Sequence, residues 1–347
     1  MRFHAWAPTR IDLAGGTLDL WPLYLFHPGA LTVNVAITRF AHAVAEPRRD
    51  RRLVLISRDS NQQEEFASLA ALEKQRRYRL PLLAELIRYF APSTGLVLTT
   101  WSEAPAGAGL GGSSAMAVAV CAALSRALPS FVEPSGPSRW VARGREHDWI
   151  ALARDIEARV LGVPTGEQDH YPPVYGGANA IHLDPVRTRR EPLRVPAREL
   201  EARLVLVYTG KPRRSGINNW EVMKNYLDGD RALRRNFEEI ATAARLAREA
   251  LLRRDWKRLA EAMRRDAEAR RRNAPTITTP FIEKLASVAR RCGALASKVC
   301  GAGGGGCVVF LCEPTRKGEV ASALASAGAT LLPFRVSPRG VQVRKER

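Results

Sequence analysis

A glycine-rich segment at residues 105–115, Pro-Ala-Gly-Ala-Gly-Leu-Gly-Gly-Ser-Ser-Ala, constrains this chain more than any other feature. Its four glycines within seven residues bury no side chains, so the segment is not core, and they let the backbone approach another group closely. The apolar run 116–124 follows at once and predicts a helix whose start offers unpaired N–H groups and the positive end of a dipole. The segment therefore predicts an anion cradle for phosphate, with a flexible loop before a helix as the alternative.

The bulk composition fits a globular protein. A chain of 347 residues suffices for one large domain or two closely packed ones, and 46% hydrophobic residues is an ordinary share. No apolar run reaches the roughly 18 residues of a membrane span. Because the first residues lack the apolar stretch of a signal peptide, we expect a cytoplasmic protein with no membrane partner. The odd number of cysteines and the absence of CxxC spacing favour free thiols over disulfides or zinc ligands. The cysteines are Cys121, Cys292, Cys300, Cys307 and Cys312.

The chain is strongly basic, with a formal net charge of +19. Arginine clusters at 48–52, 76–79, 264–265 and 270–272 raise the possibility of nucleic-acid binding. The clusters are scattered, several lie among acidic residues, and no nucleic-acid-binding motif accompanies them. We therefore interpret them as a solvated surface and expect no specific nucleic-acid partner. Excess positive charge also attracts anionic substrates such as nucleotides.

The order of hydrophobic patterns predicts a two-lobed α+β protein rather than a uniform βαβ repeat. Strands at 31–47 and 53–58 are predicted to form a hairpin around a charged turn, and residues 344–347 to form a loose basic tail. The other predicted strands are 95–101, 178–183, 204–208, 295–300, 307–312 and 330–336. The predicted helices are 68–90 with a break near 80–81, 114–128, 149–161, 219–291 with breaks near 228–230 and 273–280, and 316–327.

Two further segments carry candidate binding residues. The run 301–306, Gly-Ala-Gly-Gly-Gly-Gly, lies between two predicted strands and implies a close backbone approach to a neighbour, a ligand or both. Near the start of the chain, a short predicted strand enters a Gly15-Gly16 bend that presents Asp19. Arg10, before the bend, has a planar guanidinium that suits phosphate, with a surface ion pair as the alternative.

Acidic residues cluster at and after the end of the helix predicted at 149–161. Glu157, Glu167 and Asp169 lie close in sequence. One carboxylate could hold a hard cation such as Mg²⁺ through oxygen, and another could take a proton from a substrate hydroxyl. An exposed acid is the alternative for each of them taken singly. His170 packs or forms a hydrogen bond in this interpretation, and we assign it no chemistry.

Taken together and in this order, the segments resemble the GHMP kinase superfamily, which includes galactokinase, homoserine kinase, mevalonate kinase and phosphomevalonate kinase. The family has an N-terminal Arg/Lys…Gly…Asp segment, a Pro-x-x-x-Gly-Leu-Gly-Ser-Ser loop and a Gly-Ala-Gly-Gly-Gly-Gly run near the C-terminus. These correspond here to 10–19, 105–115 and 301–306, and the resemblance spans about residues 5–335. The second and third motifs together, at this separation, are highly specific.

Within the superfamily, the chain looks most like the sugar-kinase branch that phosphorylates D-glycero-D-manno-heptose 7-phosphate at the anomeric oxygen. The Ile-Glu…Leu-Gly pattern of that branch is matched at 156–162, and its Gly-x-Gln-Asp-x-Tyr pattern at 166–171. Its Tyr-Gly-Gly pattern is matched at 175–177, and Val-Leu-Val-Tyr-Thr-Gly at 205–210 also looks like this branch. The implied partners are ATP and a small sugar substrate.

The resemblance implies a fold and a nucleotide site. The N-terminal lobe would be like ribosomal protein S5 and form an ATP-binding domain at 1–190, and a ferredoxin-like C-terminal domain would lie at 200–340. Mg²⁺ would be held by Ser114 and Glu157. The residues implied to bind the phosphates of ATP are Pro105, Gly107, Gly109, Leu110, Gly111, Gly112, Ser113 and Ser114.

The resemblance also implies an acceptor site. Asp169 would be the base toward the acceptor hydroxyl, and Arg10 would steady that hydroxyl or the moving phosphoryl group. Asp19 would bind sugar hydroxyls, and the glycines of the 301–306 run would support the phosphate loop and the acceptor pocket. The residues implied to contact or shape the substrate site are Gly16, Thr17, Asp19, Tyr175, Gly176, Gly177, Gly303 and Gly304.

The first motif departs from the family. It has Gly-Gly-Thr-Leu-Asp where the heptose branch has Gly-Gly-Gly-Thr-Asp, and galactokinases place Glu and His at the positions of Gly16 and Thr17. An ordinary galactokinase is therefore not expected. In the second motif Gly112 stands where serine is usual. The acceptor, the phosphorylated position and the oligomeric state stay open, with a homodimer as one option. The alternatives are a kinase of a non-sugar alcohol and a non-catalytic sensor of ATP and sugar.

Overall fold

The computed structural model describes residues 1–128, 148–212 and 217–346. Its strands are β1 (Arg2–Ala14), β2 (Leu31–Pro47), β3 (Leu53–Ser57), β4 (Gln62–Phe66), β5 (Leu96–Ser102), β6 (Ala178–Leu183), β7 (Thr188–Leu193), β8 (Leu204–Tyr208), β9 (Ala294–Val299), β10 (Cys307–Cys312), β11 (Thr330–Leu331) and β12 (Gln342–Glu346). Its helices are α1 (Leu69–Lys74), α2 (Pro81–Phe90), α3 (Gly112–Ala127), α4 (Asp148–Leu161), α5 (Tyr171–Tyr175), α6 (Ala197–Glu201), α7 (Ile217–Leu227), α8 (Arg231–Arg253), α9 (Trp256–Asn273), α10 (Pro280–Arg291) and α11 (Lys317–Ser326). Within these ranges, no helix has the length and apolar character needed to cross a membrane.

A mixed eight-stranded sheet forms the first lobe. Its strands follow the order β12-β1-β2-β5-β3-β4, and β6, which carries β7, pairs with the first half of β2. Helices α2, α3 and α4 share one hydrophobic core with this sheet, and α3 is buried on nearly every side. The continuous apolar sequence of α3 predicts this burial, because a helix that is hydrophobic all round has no face suited to water.

A four-stranded antiparallel sheet of order β11-β8-β10-β9 forms the second lobe. If the four strands are numbered by their order along the chain, their order in the sheet is 4-1-3-2. Helices follow the first and third strands, which is the ferredoxin-like arrangement. Helices α10 and α11 share a core with this sheet, while α8 and α9 take part in a core that both sheets contribute to. The predicted two-lobed α+β fold class is thus confirmed.

The elements around the site match the sequence predictions closely. Helices α3 and α4 and strands β5, β6, β8, β9 and β10 have bounds within two residues of those predicted. The five cysteines are free thiols, and four of them are buried, as their spacing indicates. The long helical region 219–291 is divided once more than predicted, because Arg254 adopts a left-handed conformation between α8 and α9.

The predicted hairpin of 31–47 with 53–58 is wrong. Strand β5 lies between β2 and β3, antiparallel to the first and parallel to the second. The start of β5 forms backbone hydrogen bonds with the charged segment between β2 and β3. Gly95 N donates to Asp50 O at 2.6 Å, and Leu96 N donates to Arg52 O at 2.9 Å. A pairing between segments some 45 residues apart leaves no local signal, whereas the turn residues do suggest a hairpin.

The C-terminal prediction is also wrong for the residues described. Residues 342–346 are not a loose tail but the edge strand β12, which pairs antiparallel with β1. The Glu346 carboxylate accepts from Arg344 at 2.6 Å and lies 3.2 Å from Arg2. Charged side chains are common on edge strands, where they discourage pairing with other chains, so a basic composition does not exclude a strand. The strand predicted at 330–336 is limited to the two residues of β11, and β7 was not predicted.

A buried cluster of charges joins the two lobes. It consists of Asp12 on β1, Asp266 and Arg270 on α9, and Lys298 on β9, all at most 3% exposed. Lys298 Nζ lies 2.9 Å from Asp12 and 3.0 Å from Asp266. Burial alone would raise the pKa of Asp12, but the neighbouring Lys298 and Arg270 outweigh it and the pKa is lowered. Arg270 is therefore not part of a solvated surface, which corrects that interpretation of the 270–272 cluster.

Removing the cation from this cluster should destabilise the protein. In Lys298→Met two buried carboxylates lose their shared partner, and such a loss costs about 3–5 kcal/mol. Urea unfolding measures the change in the free energy of unfolding. The exposed Lys257 is the matched control, and Lys257→Met should stay within about 0.5 kcal/mol of wild type. A loss below about 1 kcal/mol in Lys298→Met would show that the cluster does not hold the lobes together.

Candidate active site

A cavity of about 690 Å³ brings the three sequence motifs together. This volume is typical of small-molecule sites. The 10–19 segment, the 105–115 loop and the 301–306 run each contribute to its wall, together with the acidic segment after α4. Among the residues predicted for the site, those that line it are Arg10, Gly16, Thr17, Asp19, Pro105, Gly107, Leu110, Gly111, Gly112, Ser113, Glu157 and Asp169.

The 105–115 loop, which we call the phosphate loop, has the backbone of an anion cradle. Gly107, Gly109 and Gly111 all adopt positive φ angles, of 66°, 77° and 69°. The first backbone hydrogen bond of α3 runs from Ala115 N to Gly111 O at 2.9 Å. The N–H groups before Ala115 therefore have no partner within the helix and, with the positive end of the dipole, favour an anion at this point.

The second glycine run packs directly on the phosphate loop. Cys307 N donates to Ala108 O at 2.7 Å. A Cβ on Gly306 would lie 2.7 Å from Ala108 O, and its φ of 76° disfavours any other residue. The backbone contact that the sequence predicted between the two runs is thus present, and glycine is required there because main chain meets main chain.

Arg10 is buried at the centre of the site. Its Nε and Nη2 each donate to one Asp169 carboxylate oxygen at 2.8 Å, and its Nη1 donates to Gly109 O at 2.6 Å. Its backbone N donates to Leu110 O at 2.9 Å. Burial lowers the pKa of Arg10, but the charges of Asp169 and Asp12 outweigh this and raise it, so the guanidinium is always charged. Because Arg10 is buried, the alternative of a surface ion pair for this residue is excluded.

Glu157 has a nearly buried carboxylate that lies next to the first turn of α3. Ser114 Oγ donates to it at 2.9 Å, and Ser113 Oγ also contacts it. His170 Nε2 lies 3.2 Å from Glu157 Oε2, close enough for an ion pair. Burial acts to raise the pKa of Glu157, but His170 and the two serines outweigh it, so the carboxylate stays ionised.

Asp19 is held by the turn that carries Asp169. Its Oδ2 accepts from Gln168 N at 3.0 Å, and its Oδ1 lies 3.3 Å from Gln168 Nε2. Burial, and next the charge of Asp169, raise the pKa of Asp19 to about 7. Near neutral pH its carboxyl group can therefore both donate and accept hydrogen bonds.

The remaining predicted residues do not line the cavity. Gly109 and Ser114 belong to the phosphate loop but not to the cavity wall: Gly109 O accepts from Arg10, and Ser114 Oγ donates to Glu157. Gly303 and Gly304 pack against the backbone of 276–277, so the second run reaches the cavity only through Gly301 and Ala302. Tyr175, Gly176 and Gly177 are also outside the cavity wall. Tyr175 stacks under the guanidinium of Arg190, and the two glycines contact the 337–339 segment.

The donors present suit a hard cation that also has ligands from a substrate. In the described parts of the chain, no three His, Cys, Asp or Glu side chains are grouped to hold a metal by themselves. Glu157 and the two serine hydroxyls form an oxygen-only set beside the anion cradle. Magnesium is typically held by one or two carboxylates together with substrate phosphates, so this set fits Mg²⁺ bound along with a nucleotide.

Comparison with known proteins now decides the family. The family model for the GHMP kinases N terminal domain matches residues 78–177, and the model for the GHMP kinases C terminal domain matches residues 247–330. The chain belongs to the GHMP kinase family. It is accordingly a small-molecule kinase, a phosphotransferase with an alcohol group as acceptor.

This GHMP kinase is similar to several proteins over much of their length. It is 29% identical over 342 residues to D-glycero-alpha-D-manno-heptose 7-phosphate kinase of Campylobacter jejuni, covering 96% of each chain. It is 30% identical to mevalonate kinase of Thermococcus gammatolerans, covering 75% of this chain and 73% of the relative. The crystal structure of a D-glycero-D-manno-heptose 1-phosphate kinase from Bacteroides thetaiotaomicron superposes with a TM-score of 0.76, at 27% identity and 99% coverage of both chains.

Sequence reasoning missed two parts of this kinase's site. One is His170, which was assigned no role although it contacts Glu157. The other is the apolar part of the cavity wall, to which Leu82, Met116, Leu161 and Val163 contribute. These four come from separate elements and share no motif, so only the fold brings them together.

The raised pKa of Asp19 should make stability depend on pH. Between its ordinary value of 3.8 and about 7, the folded protein keeps a proton that the unfolded chain has released. The free energy of unfolding therefore falls as pH rises through this window, by up to about 4 kcal/mol. Asp19→Asn removes the titration, so its stability relative to wild type should increase from pH 4 to pH 8.

Urea unfolding of both proteins across this pH range measures the effect, since contributions of other groups cancel in the difference. Asp59→Asn is the matched control, because Asp59 also lines the cavity but is exposed. Parallel stability profiles for Asp19→Asn and wild type would show that Asp19 ionises normally.

Proposed function

We propose that this GHMP kinase transfers the terminal phosphoryl group of ATP, with Mg²⁺, to a hydroxyl of a sugar or sugar phosphate. One observation carries the proposal. A single cavity holds an anion cradle, a buried carboxylate with two serine hydroxyls, and an aspartate paired with a buried arginine. Phosphoryl transfer depends on positioning and charge neutralisation more than on covalent chemistry, and these groups supply both.

ATP would lie along the phosphate loop. Its phosphates would accept from N–H groups between Gly107 and Ser114, and its base would lie against apolar residues of the cavity wall such as Met116 and Leu161. The surrounding Pro105, Gly109, Leu110, Gly111, Gly112 and Ser113 would shape this loop. We retain 1–190 as the ATP-binding domain and 200–340 as the second domain, with β12 returning to the first sheet.

Mg²⁺ would be held by Ser114 and Glu157. When bound there, the ion would neutralise negative charge on the phosphates of ATP. Glu157 keeps its negative charge because Ser113, Ser114 and His170 surround it. A hydroxyl and a carboxylate beside the anion cradle would supply two protein ligands, and phosphate oxygens of ATP would supply others.

The acceptor hydroxyl would lie against Asp169. Its carboxylate is about one quarter exposed, toward the cavity, and each oxygen keeps a lone pair after accepting from Arg10. Asp169 would accept the proton of the hydroxyl as that oxygen attacks the terminal phosphorus and the bond from this phosphorus to the departing ADP breaks. Arg10 would hold Asp169 and the hydroxyl in line. An anomeric hydroxyl is more acidic than an ordinary alcohol, which eases this step.

A heptose 7-phosphate is the acceptor class that the comparisons favour. The Campylobacter jejuni relative that matches over 96% of both chains carries that name. Gly16, Thr17 and Asp19 line the same cavity as Asp169, and polar groups there would contact sugar hydroxyls. Tyr175, Gly176, Gly177, Gly303 and Gly304 would act only by supporting this wall, since they do not reach the cavity.

The test is a kinase screen over hexoses, heptoses, their phosphates, mevalonate and homoserine, with phosphate position determined by ³¹P NMR. We expect ATP- and Mg²⁺-dependent turnover, greatest with a heptose 7-phosphate and with the new phosphate on the anomeric oxygen. Turnover only with mevalonate or homoserine would contradict the sugar assignment. Binding of ATP and sugar without turnover would indicate a sensor.

Asp169→Asn tests the role of the proposed base. The amide keeps the shape but cannot accept the proton as a carboxylate does, so kcat should fall by about 10²- to 10⁴-fold. Steady-state kinetics measure this, and the thermal unfolding midpoint shows whether the variant is folded. Asp155→Asn is the control: Asp155 is a nearby, exposed carboxylate outside the cavity, and its loss should leave kcat nearly unchanged. Near-full turnover in Asp169→Asn would exclude Asp169 as the base.

A further inference from the structure

Three consecutive residues on one turn contact the three main functional groups of the site. Gln168–His170 form a single turn of 3₁₀-helix that precedes α5. Gln168 binds the Asp19 carboxylate, Asp169 binds the Arg10 guanidinium, and His170 contacts Glu157. Only the first two of these contacts belong to the acceptor side. The third reaches the carboxylate proposed to hold Mg²⁺, so the turn connects both ends of the reaction.

His170 approaches Glu157 from inside the protein. Its side chain is fully buried and does not line the cavity, whereas Ser113 contacts the same carboxylate from the cavity wall. The distance from His170 Nε2 to Glu157 Oε2 is 3.2 Å. Among the described residues, Glu157 is the acidic group within ion-pair distance of this ring, and neither ring nitrogen makes a hydrogen bond of good geometry.

A fully buried imidazole needs a partner, because burying an unpaired polar group costs free energy. A second buried histidine shows the usual solution: His27 Nε2 lies 3.0 Å from the hydroxyl of Tyr226, and neither residue lines the cavity. His170 instead directs its ring at a carboxylate of the site. Groups behind a metal-binding carboxylate orient it and tune its affinity, typically by 10- to 100-fold.

We propose that His170 is a positioning residue for Glu157 and thereby sets the divalent-cation affinity of the nucleotide complex. This rests on the proposed function, since it takes Glu157 as the metal ligand. The inference predicts that removing the imidazole weakens cation binding while leaving the acceptor pocket unchanged. Because Gln168 and Asp169 make separate contacts, the acceptor side does not need the His170 ring.

The test measures Mn²⁺ binding to the protein with a non-hydrolysable ATP analogue, by electron paramagnetic resonance. His170→Leu keeps much of the buried volume but removes the polar group, and its Mn²⁺ dissociation constant should rise about 10- to 100-fold. His170→Gln supplies an N–H donor to Glu157 and should recover most of the affinity. In kinetics, the Mg²⁺ concentration for half-maximal rate should rise in His170→Leu, while KM for the acceptor changes less than about threefold.

His27→Leu is the matched control, since it removes a buried histidine outside the site. It should lower stability without changing Mn²⁺ affinity. Unchanged Mn²⁺ affinity in His170→Leu would overturn the inference and leave the proposed function standing. Absence of Mn²⁺ binding to wild type with the nucleotide analogue would overturn both. Should His170→Leu fail to fold, His170→Asn replaces it. Its amide nitrogen reaches only about as far as histidine Nδ1, short of Glu157, so its Mn²⁺ affinity should also fall, and wild-type affinity in this variant would overturn the inference.

Discussion

The geometry of the site depends on one buried cation. Arg10 is 1% exposed, and a buried charge is tolerated only when it is paired and its donors are satisfied. Its guanidinium binds both oxygens of Asp169 and the carbonyl of Gly109, and its backbone binds Leu110 O. One side chain therefore ties Asp169, the proposed base, to the phosphate loop. The distance between Asp169 and a phosphate bound there as proposed would follow from this pairing rather than from either loop alone.

The glycines of the second run have a complementary role. Gly306 lets the β9–β10 connection press its backbone onto Ala108, so the phosphate loop is supported from the second lobe. The charge cluster around Lys298 holds the same two lobes together a short distance away. The cavity thus has parts on both lobes, and its shape depends on contacts that are buried, polar and specific in direction. A site with these properties is well suited to positioning two substrates.

Much of this arrangement is predictable from sequence, because motifs with a mechanism are local. The two glycine runs have a composition that suggests a role, whereas the roles of Arg10 and Asp169 follow from the resemblance to the family. The hairpin prediction for 31–47 and 53–58 fails because β5, from a distant segment, inserts between the two strands. Arg270 resembles its exposed neighbours 271–272 in sequence but points into the lobe junction. Likewise His170 carries no local signal, since its partner Glu157 is recognisable only once α4 and the following turn are folded together.

A crystal structure with a non-hydrolysable ATP analogue, Mg²⁺ and the best sugar phosphate would test the central claim most directly. That claim is that Arg10 places Asp169 in line with a phosphate bound on the loop. The account predicts phosphate oxygens on the N–H groups of 107–114 and the acceptor oxygen about 2.6–3.2 Å from the Asp169 carboxylate. Phosphates bound away from the loop, or an acceptor oxygen out of reach of Asp169, would contradict it.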